Sequence, residues 1–377
     1  SGDLRDTWPY VIKLKDAFFF DPTPWTVHFP LHYYFLSRLS LIIDNVDHIR
    51  FVYCFISLIA PFLFFICLKE KYRNENLNNL LILSTIVLFT PSFIYSAIWA
   101  NDNVSSYIFI FIGSYFFFKY ENTLSNLSKK NKYLYICFFF FALACYSRQS
   151  YSALYALFLF YFFNKLEFNK FFLLTLYSLV LATPGIIFLY FFPDLFNQLT
   201  FSGNLFNTLL GNVSSLFIYT FPIILINILF LEFKLFNLKK ILIYFLISFC
   251  VFLVVILYSD LNSMGKNGGV FFYFSNLIFG SYFLFYFIFI LNLILILTIF
   301  ENPKDLIIIF SIIFVFYGMA VFQRYFEPLF LVVFFLFTQS KFKTIFLKNK
   351  TASLFLVGYH ILYYLISVTD VMYLIKL

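Results

Sequence analysis

Residues 241–258 read ILIYFLISFCVFLVVILY, a run without a single charge, entered from Lys239-Lys240 and followed by Asp260. As an α-helix it would rise about 27 Å, enough to cross the hydrocarbon core of a bilayer. It is one of a series. Comparable runs lie at 51–68, 80–99, 104–118, 133–146, 151–163, 171–192, 213–231, 270–300, 306–322, 328–337 and 352–375. Hydrophobic residues make up 62% of the 377, charged residues 12%, and the mean hydropathy is +0.89. A soluble domain of that balance has too few polar atoms to cover its surface. The expectation is an all-α, polytopic membrane bundle of about twelve spans.

The net charge of +8 does not point to nucleic acid, because the lysines sit in short connections between apolar runs. The five cysteines fall mostly inside those runs, at no metal-ligand spacing, and read as small core residues. The 63 Phe, with abundant Ile, Asn, Lys and Tyr, fit an AT-rich gene as well as a function, so the aromatic count carries no argument.

One segment stands apart. Ser1–Arg50 holds six aspartates, three of the four histidines (His28, His32, His48) and two of the three tryptophans. It reads as a loop with interfacial helices, and residues 51–377 as the bundle. Sorting the later loops alternately onto two sides puts seventeen Lys and Arg on one side and three (Arg148, Lys266, Arg324) on the other. The positive-inside rule makes the first side cytoplasmic and the first segment non-cytoplasmic. Ser1 is no natural start, and a span preceding it, a thirteenth, is expected to carry the chain across. Bacterial inner membrane and endoplasmic reticulum remain equally open.

The same sorting gathers Asp3, Asp6, Asp102, Arg148, Gln149, Asp260, Lys266, Arg324 and Glu327 on the non-cytoplasmic face. Each alone is as well explained as a helix-end residue; the set reads as a site. Asp3 and Asp6 suit a general base for an acceptor hydroxyl, or a solvated turn. His28 and His32, four apart around Pro30, suit interfacial packing or sugar hydrogen bonding better than zinc. Arg148 either snorkels to headgroups or binds an anion, its fork matching phosphate oxygens. Arg324 and Glu327 are spaced to pair on a helix face. Lys266 lies in a glycine-rich loop, Met264-Gly265-Lys266-Asn267-Gly268-Gly269, that lacks the P-loop pattern.

These residues together resemble the GT-C superfamily of polytopic glycosyltransferases. The stretches Phe20-Asp21-Pro22 with Thr26, Pro30-Leu31 and Tyr33, Arg148-Gln149, Phe271-Phe272-Tyr273-Phe274 and Gln323-Arg324-Tyr325 are most similar to the dolichyl-phosphate-glucose α-1,2-glucosyltransferases. The chain departs from that family where an adjacent acidic pair would stand, since Leu4 follows Asp3 and the second acid is Asp6. The resemblance implies an inverting enzyme that takes a sugar from a polyprenyl phosphate donor to a lipid-linked oligosaccharide or other glycan, with no metal or other cofactor. It implies Asp3 as base with Asp6 behind it. Arg148, Lys266 and Arg324 would then face the donor phosphate, and Asp102, Gln149, Glu327, His28 and His32 the sugar hydroxyls. A transporter or flippase of lipid-linked sugars is the alternative, and it requires ionisable groups at the bilayer midplane.

Overall fold

The computed structural model of the chain describes residues 4–15, 29–123, 127–191, 204–230, 236–261, 269–315 and 326–368. Regular structure among the described residues is helical throughout, with no strand. In chain order the helices are α1 (Leu4–Lys13), α2 (Leu31–Leu39), α3 (Val46–Ser57), α4 (Ile59–Lys71), α5 (Leu77–Ser84), α6 (Pro91–Ile98), α7 (Asp102–Asn122), α8 (Leu127–Ser147) and α9 (Ser152–Phe163). They continue as α10 (Phe168–Phe191), α11 (Leu205–Leu229), α12 (Leu238–Tyr258), α13 (Gly269–Phe279), α14 (Phe283–Ile299), α15 (Pro303–Val315), α16 (Leu329–Leu336), α17 (Thr344–Lys348) and α18 (Lys350–Val368).

Four of these stretches are long and apolar enough to cross a membrane: Val46–Lys71, α10, α11 and α12. Two bent pairs, Leu77–Phe89 with α6 and α16 with Lys341–Lys348, bring the number to six. Among the described residues the expected runs are mostly helical, but several are divided into shorter helices. The run 270–300 shows why. It divides at Gly280, whose φ of +57° favours glycine, into α13 and α14. Ser275 Oγ bridges that break, donating to Ser281 O (2.7 Å) and accepting from Phe285 N–H (3.2 Å).

The chain forms two compact units, one from Ser1–Arg73 and Phe93–Thr200, the other from Asn74–Ser92 and Phe201–Leu377. In the first, α7 and α8 run antiparallel in close contact. Their register is readable from Asp102 opposite Arg148, Phe109 against Phe140 and Phe116 against Tyr133. Gly113 permits the approach: a Cβ there would stand 2.8 Å from the Phe141 ring. Cys67 Sγ donates to Phe111 O (3.0 Å) and ties in α4. The α4, α7 and α9 ends that carry Glu70, Lys119, Glu121 and Lys165 meet at one end of this unit. Asp102 and Arg148 lie at the other. The alternation inferred from loop charge thus reappears as geometry inside the unit.

In the second unit α11 is the central helix, with 72% of its apolar window buried, whereas α12 has 11% and turns its Leu, Ile and Phe side chains outward. A central helix in an apolar bundle gains little from hydrophobic contrast and is held by polar side chains instead. Asn212 Nδ2 donates to Ile313 O (2.8 Å), Asn227 Nδ2 to Phe342 O (3.1 Å) and Asn292 Nδ2 to Val213 O. Asn207 exchanges two bonds with the Asp260 backbone, 2.7 and 2.9 Å, pinning the start of α11 to the end of α12. At the opposite end Lys240 pairs with Glu301 (2.8 Å) and Gln339 N–H reaches Asp305 (2.8 Å).

The glycines separate close packing from mere conformational freedom. Gly113→Ala is expected to lower stability by about 1–3 kcal/mol, because the added methyl must displace the Phe141 ring. Gly358→Ala, which has nothing within 4 Å of the new Cβ, should be neutral or slightly stabilising. Thermal unfolding of the two variants in the same detergent checks the contrast.

Candidate functional site

Asn101 accepts from Asn103 N–H (3.2 Å) and caps α7, which sets Asp102 in the first turn, where an acid is favoured by the helix dipole. Arg148 follows the last residue of α8 in extended backbone (φ −152°) and opens a short 3₁₀ turn that contains Gln149. The antiparallel register brings these two helix ends together. Arg148 Nη1 donates to Asp102 Oδ1 (3.3 Å) and to Asn103 Oδ1. Asp102 is 3% exposed and Arg148 7%. Asn103 is steadied in turn by Ser96 Oγ (3.4 Å), and Ser106 Oγ donates to both Asp102 O and Ala144 O. The result is a buried ion pair with its acceptors supplied, closing the helix hairpin at the end away from the lysine-rich connections.

Beside it lies a corner under strain. Helix α6 ends in a Schellman arrangement, with Asn101 N–H on Ser96 O (2.8 Å) and Ala100 N–H on Ala97 O (3.4 Å). Ala100 occupies the left-handed position at φ +48°, where a residue with a Cβ is disfavoured by roughly 1–2 kcal/mol. His32 holds the corner: its Nε2–H donates to Ala100 O (2.8 Å), because a carbonyl can only accept. Its Nδ1 therefore accepts from Ser105 Oγ (2.9 Å), which also meets the Tyr53 hydroxyl (2.8 Å). His32 is 2% exposed and clamps α2 to the start of α7. Its two ring nitrogens are engaged inside the protein, which fits the packing reading of this histidine.

Glu327 belongs to the second unit. Its Oε1 accepts from the hydroxyls of Tyr219 and Tyr363 (2.8 Å for the latter), and its Oε2 from Ser92 N–H (2.9 Å). Ser92 Oγ also donates to Glu327 O (2.9 Å), and the His360 ring stacks over Tyr219 with centroids 6.4 Å apart. Glu327 is 1% exposed and stands in a turn before α16, and the pairing expected with Arg324 falls on a residue outside the described ones. Arg324, Asp3, His28 and Lys266 lie outside the described residues, and of Asp6 only its backbone position on α1 is described. Of the ten residues read as a site, the structure brings Asp102, Arg148 and Gln149 to one helix corner with His32 nearby, and sets Glu327 in a separate network.

Sequence reasoning missed the partners. Asn103 is one of many asparagines between the apolar runs, and nothing in the sequence sets it apart as a partner of Arg148. Tyr219, Tyr363 and Ser92 lay in apolar runs with nothing to single them out among 29 tyrosines and many serines. Among the described residues no three or more His, Cys, Asp or Glu gather as a metal site would require. Compared with protein-family models, curated proteins and solved structures, the chain matches none.

Breaking a buried ion pair from one side leaves an uncompensated charge, at about 3–5 kcal/mol. Asp102→Ala and Arg148→Ala should each lose that much, and Asp102→Ala with Arg148→Ala should lose clearly less than the sum. A double-mutant cycle by chemical unfolding measures this, and additive losses would mean the contact contributes nothing.

Proposed function

We propose that the protein is a membrane glycosyltransferase that moves a sugar from a polyprenyl phosphate donor to a glycan acceptor. The observation that carries this reading is the docking of the first segment onto the Arg148 end of the first unit. α1, which Asp3 immediately precedes, packs on α2 and α3, and α2 is clamped by His32 to the start of α7. Helix α1 is thus held at the same end as a buried arginine that contacts Asp102 and Asn103.

In this mechanism Asp3, with Asp6 behind it, takes the proton of the acceptor hydroxyl as its oxygen attacks the anomeric carbon. The bond from that carbon to the phosphate oxygen breaks, and the polyprenyl phosphate leaves with the electron pair. The leaving group is already ionised, so it needs cations more than a proton donor. Arg148, with Lys266 and Arg324, would supply them as preorganised charge. The Asp102 and Asn103 contacts fix the guanidinium plane, so no side-chain ordering is left for the moment of transfer. Gln149, Asp102, His28 and His32 would orient sugar hydroxyls, with His32 acting through the partners it already holds.

One observation favours a second reading, a transporter of lipid-linked sugars. Tyr219 lies ten residues from the Leu229 end of α11, about 15 Å at the helical rise, and Tyr363 thirteen residues from Lys350, about 20 Å. With those ends at the lysine-rich side, Glu327 would sit near the middle of a 30 Å core, where an ionisable group is a site candidate by default.

Two assays on purified protein in vesicles separate the readings. Incubation with a panel of polyprenyl phosphate hexoses and pentoses should yield glycosylated acceptor. Asp3→Asn should abolish that product while leaving donor binding nearly intact, and undiminished turnover would refute Asp3 as base. Movement of fluorescent lipid-linked sugar between leaflets without product, lost in Glu327→Gln, would instead establish the transporter.

A further inference from the structure

In residues 69–73, 119–132 and 165–170 the chain carries nine Lys and Arg against three carboxylates. The fold gathers these stretches at one end of the first unit. Glu70 holds Arg73 and Lys119, and its backbone carbonyl accepts from Asn122 Nδ2 (2.9 Å). Glu121 holds Lys165 at 2.5 Å, Glu167 holds Lys170 at 3.0 Å, and Lys130 lies 4.8 Å over the Tyr120 ring. Each carboxylate at this end is thus already matched, and six positive charges remain in excess. Lys165 keeps its charge: burial acts to lower its pKa, but Glu121 and Tyr161 outweigh that and hold it above the ordinary lysine value.

The helices themselves do not call for these cations. Lys129, Lys130 and Lys132 stand in the opening turns of α8, where the dipole favours acids. Their level in the molecule is marked by aromatic rings: Lys119 lies 5.4 Å over Tyr115, Lys165 5.2 Å over Tyr161 and Lys71 4.9 Å over Tyr72. Cations resting on aromatic faces, with outward-facing apolar helix surface directly beside them on α10, are the arrangement of a headgroup boundary. A nucleic acid or an acidic protein would meet the charge and leave that apolar surface bare. A bilayer leaflet meets both.

We propose that this end is a docking surface for anionic phospholipids, whose headgroup phosphates lie among the lysines that open α8. The proposal concerns the end opposite Arg148 and stands or falls apart from sugar transfer.

Native mass spectrometry of the full chain, with phosphatidylglycerol and phosphatidylcholine of the same acyl chains in equal amounts, tests it. Wild type should retain phosphatidylglycerol preferentially, and less so at high salt. Lys129→Gln/Lys130→Gln/Lys132→Gln should lower that preference roughly tenfold. Should the triple variant fold poorly, Lys132→Glu alone changes an exposed position and should still reduce it. Inorganic phosphate at matched concentration should not displace the lipid. Equal retention of the two lipids by wild type, an undiminished preference in the folded variants, or displacement by free phosphate would each overturn the proposal.

Discussion

In a chain this apolar, a polar side chain in the interior is under pressure to find a partner within the protein, because hydrocarbon offers none. Both units are organised by that requirement. Asn212, Asn227 and Asn292 each give an amide N–H to a carbonyl on another element. His32 joins a serine hydroxyl to a strained carbonyl. Arg148 and Glu327, the most expensive groups to desolvate, collect the densest sets of partners. Apolar contact fills the volume between helices, but these bonds fix which helix faces which.

Much of the helical layout was legible as apolar length, and the two-ended distribution of lysines foretold which helix ends meet inside each unit. What length could not show is where a run breaks. The 270–300 run reads as one tilted span, yet Gly280 in the left-handed region and the Ser275 hydroxyl divide it, because the chain there turns on backbone conformation rather than hydropathy. Proximity of Asp102 and Arg148 at one helix end was legible, but their partners were not. Asp102 and Arg148 were placed on one face by counting loops. Their direct contact depends on the α7–α8 register, which Gly113 and the aromatic rings between the helices determine. Glu327 was visible as an acid near a proline; that two phenols would converge on it was not, since tyrosines in apolar runs look alike until the helices are packed.

The two buried polar networks differ in character. The Arg148 corner unites opposite charges at helix ends, so its interior is close to neutral, and one guanidinium nitrogen, Nη1, serves both acceptors. In the Glu327 network the carboxylate accepts from two phenols and a backbone N–H, with an imidazole ring lying near-parallel to one of the phenols.

Tyr146, near the end of α8, reaches into α10 beside Pro184. Its hydroxyl donates to Leu181 O (2.5 Å) and accepts from Gly185 N–H (3.0 Å), the two ends of one rung of the neighbouring helix. Phe29 packs edge-on against that ring and also against Phe188. A single phenol thus serves as a borrowed peptide group, so the pitch of α10 at its proline is written partly in another helix. Any shift of the amino-terminal segment that dragged Phe29 aside would loosen that rung first, making this tyrosine the place where motion at the surface is converted into bending of a long apolar rod.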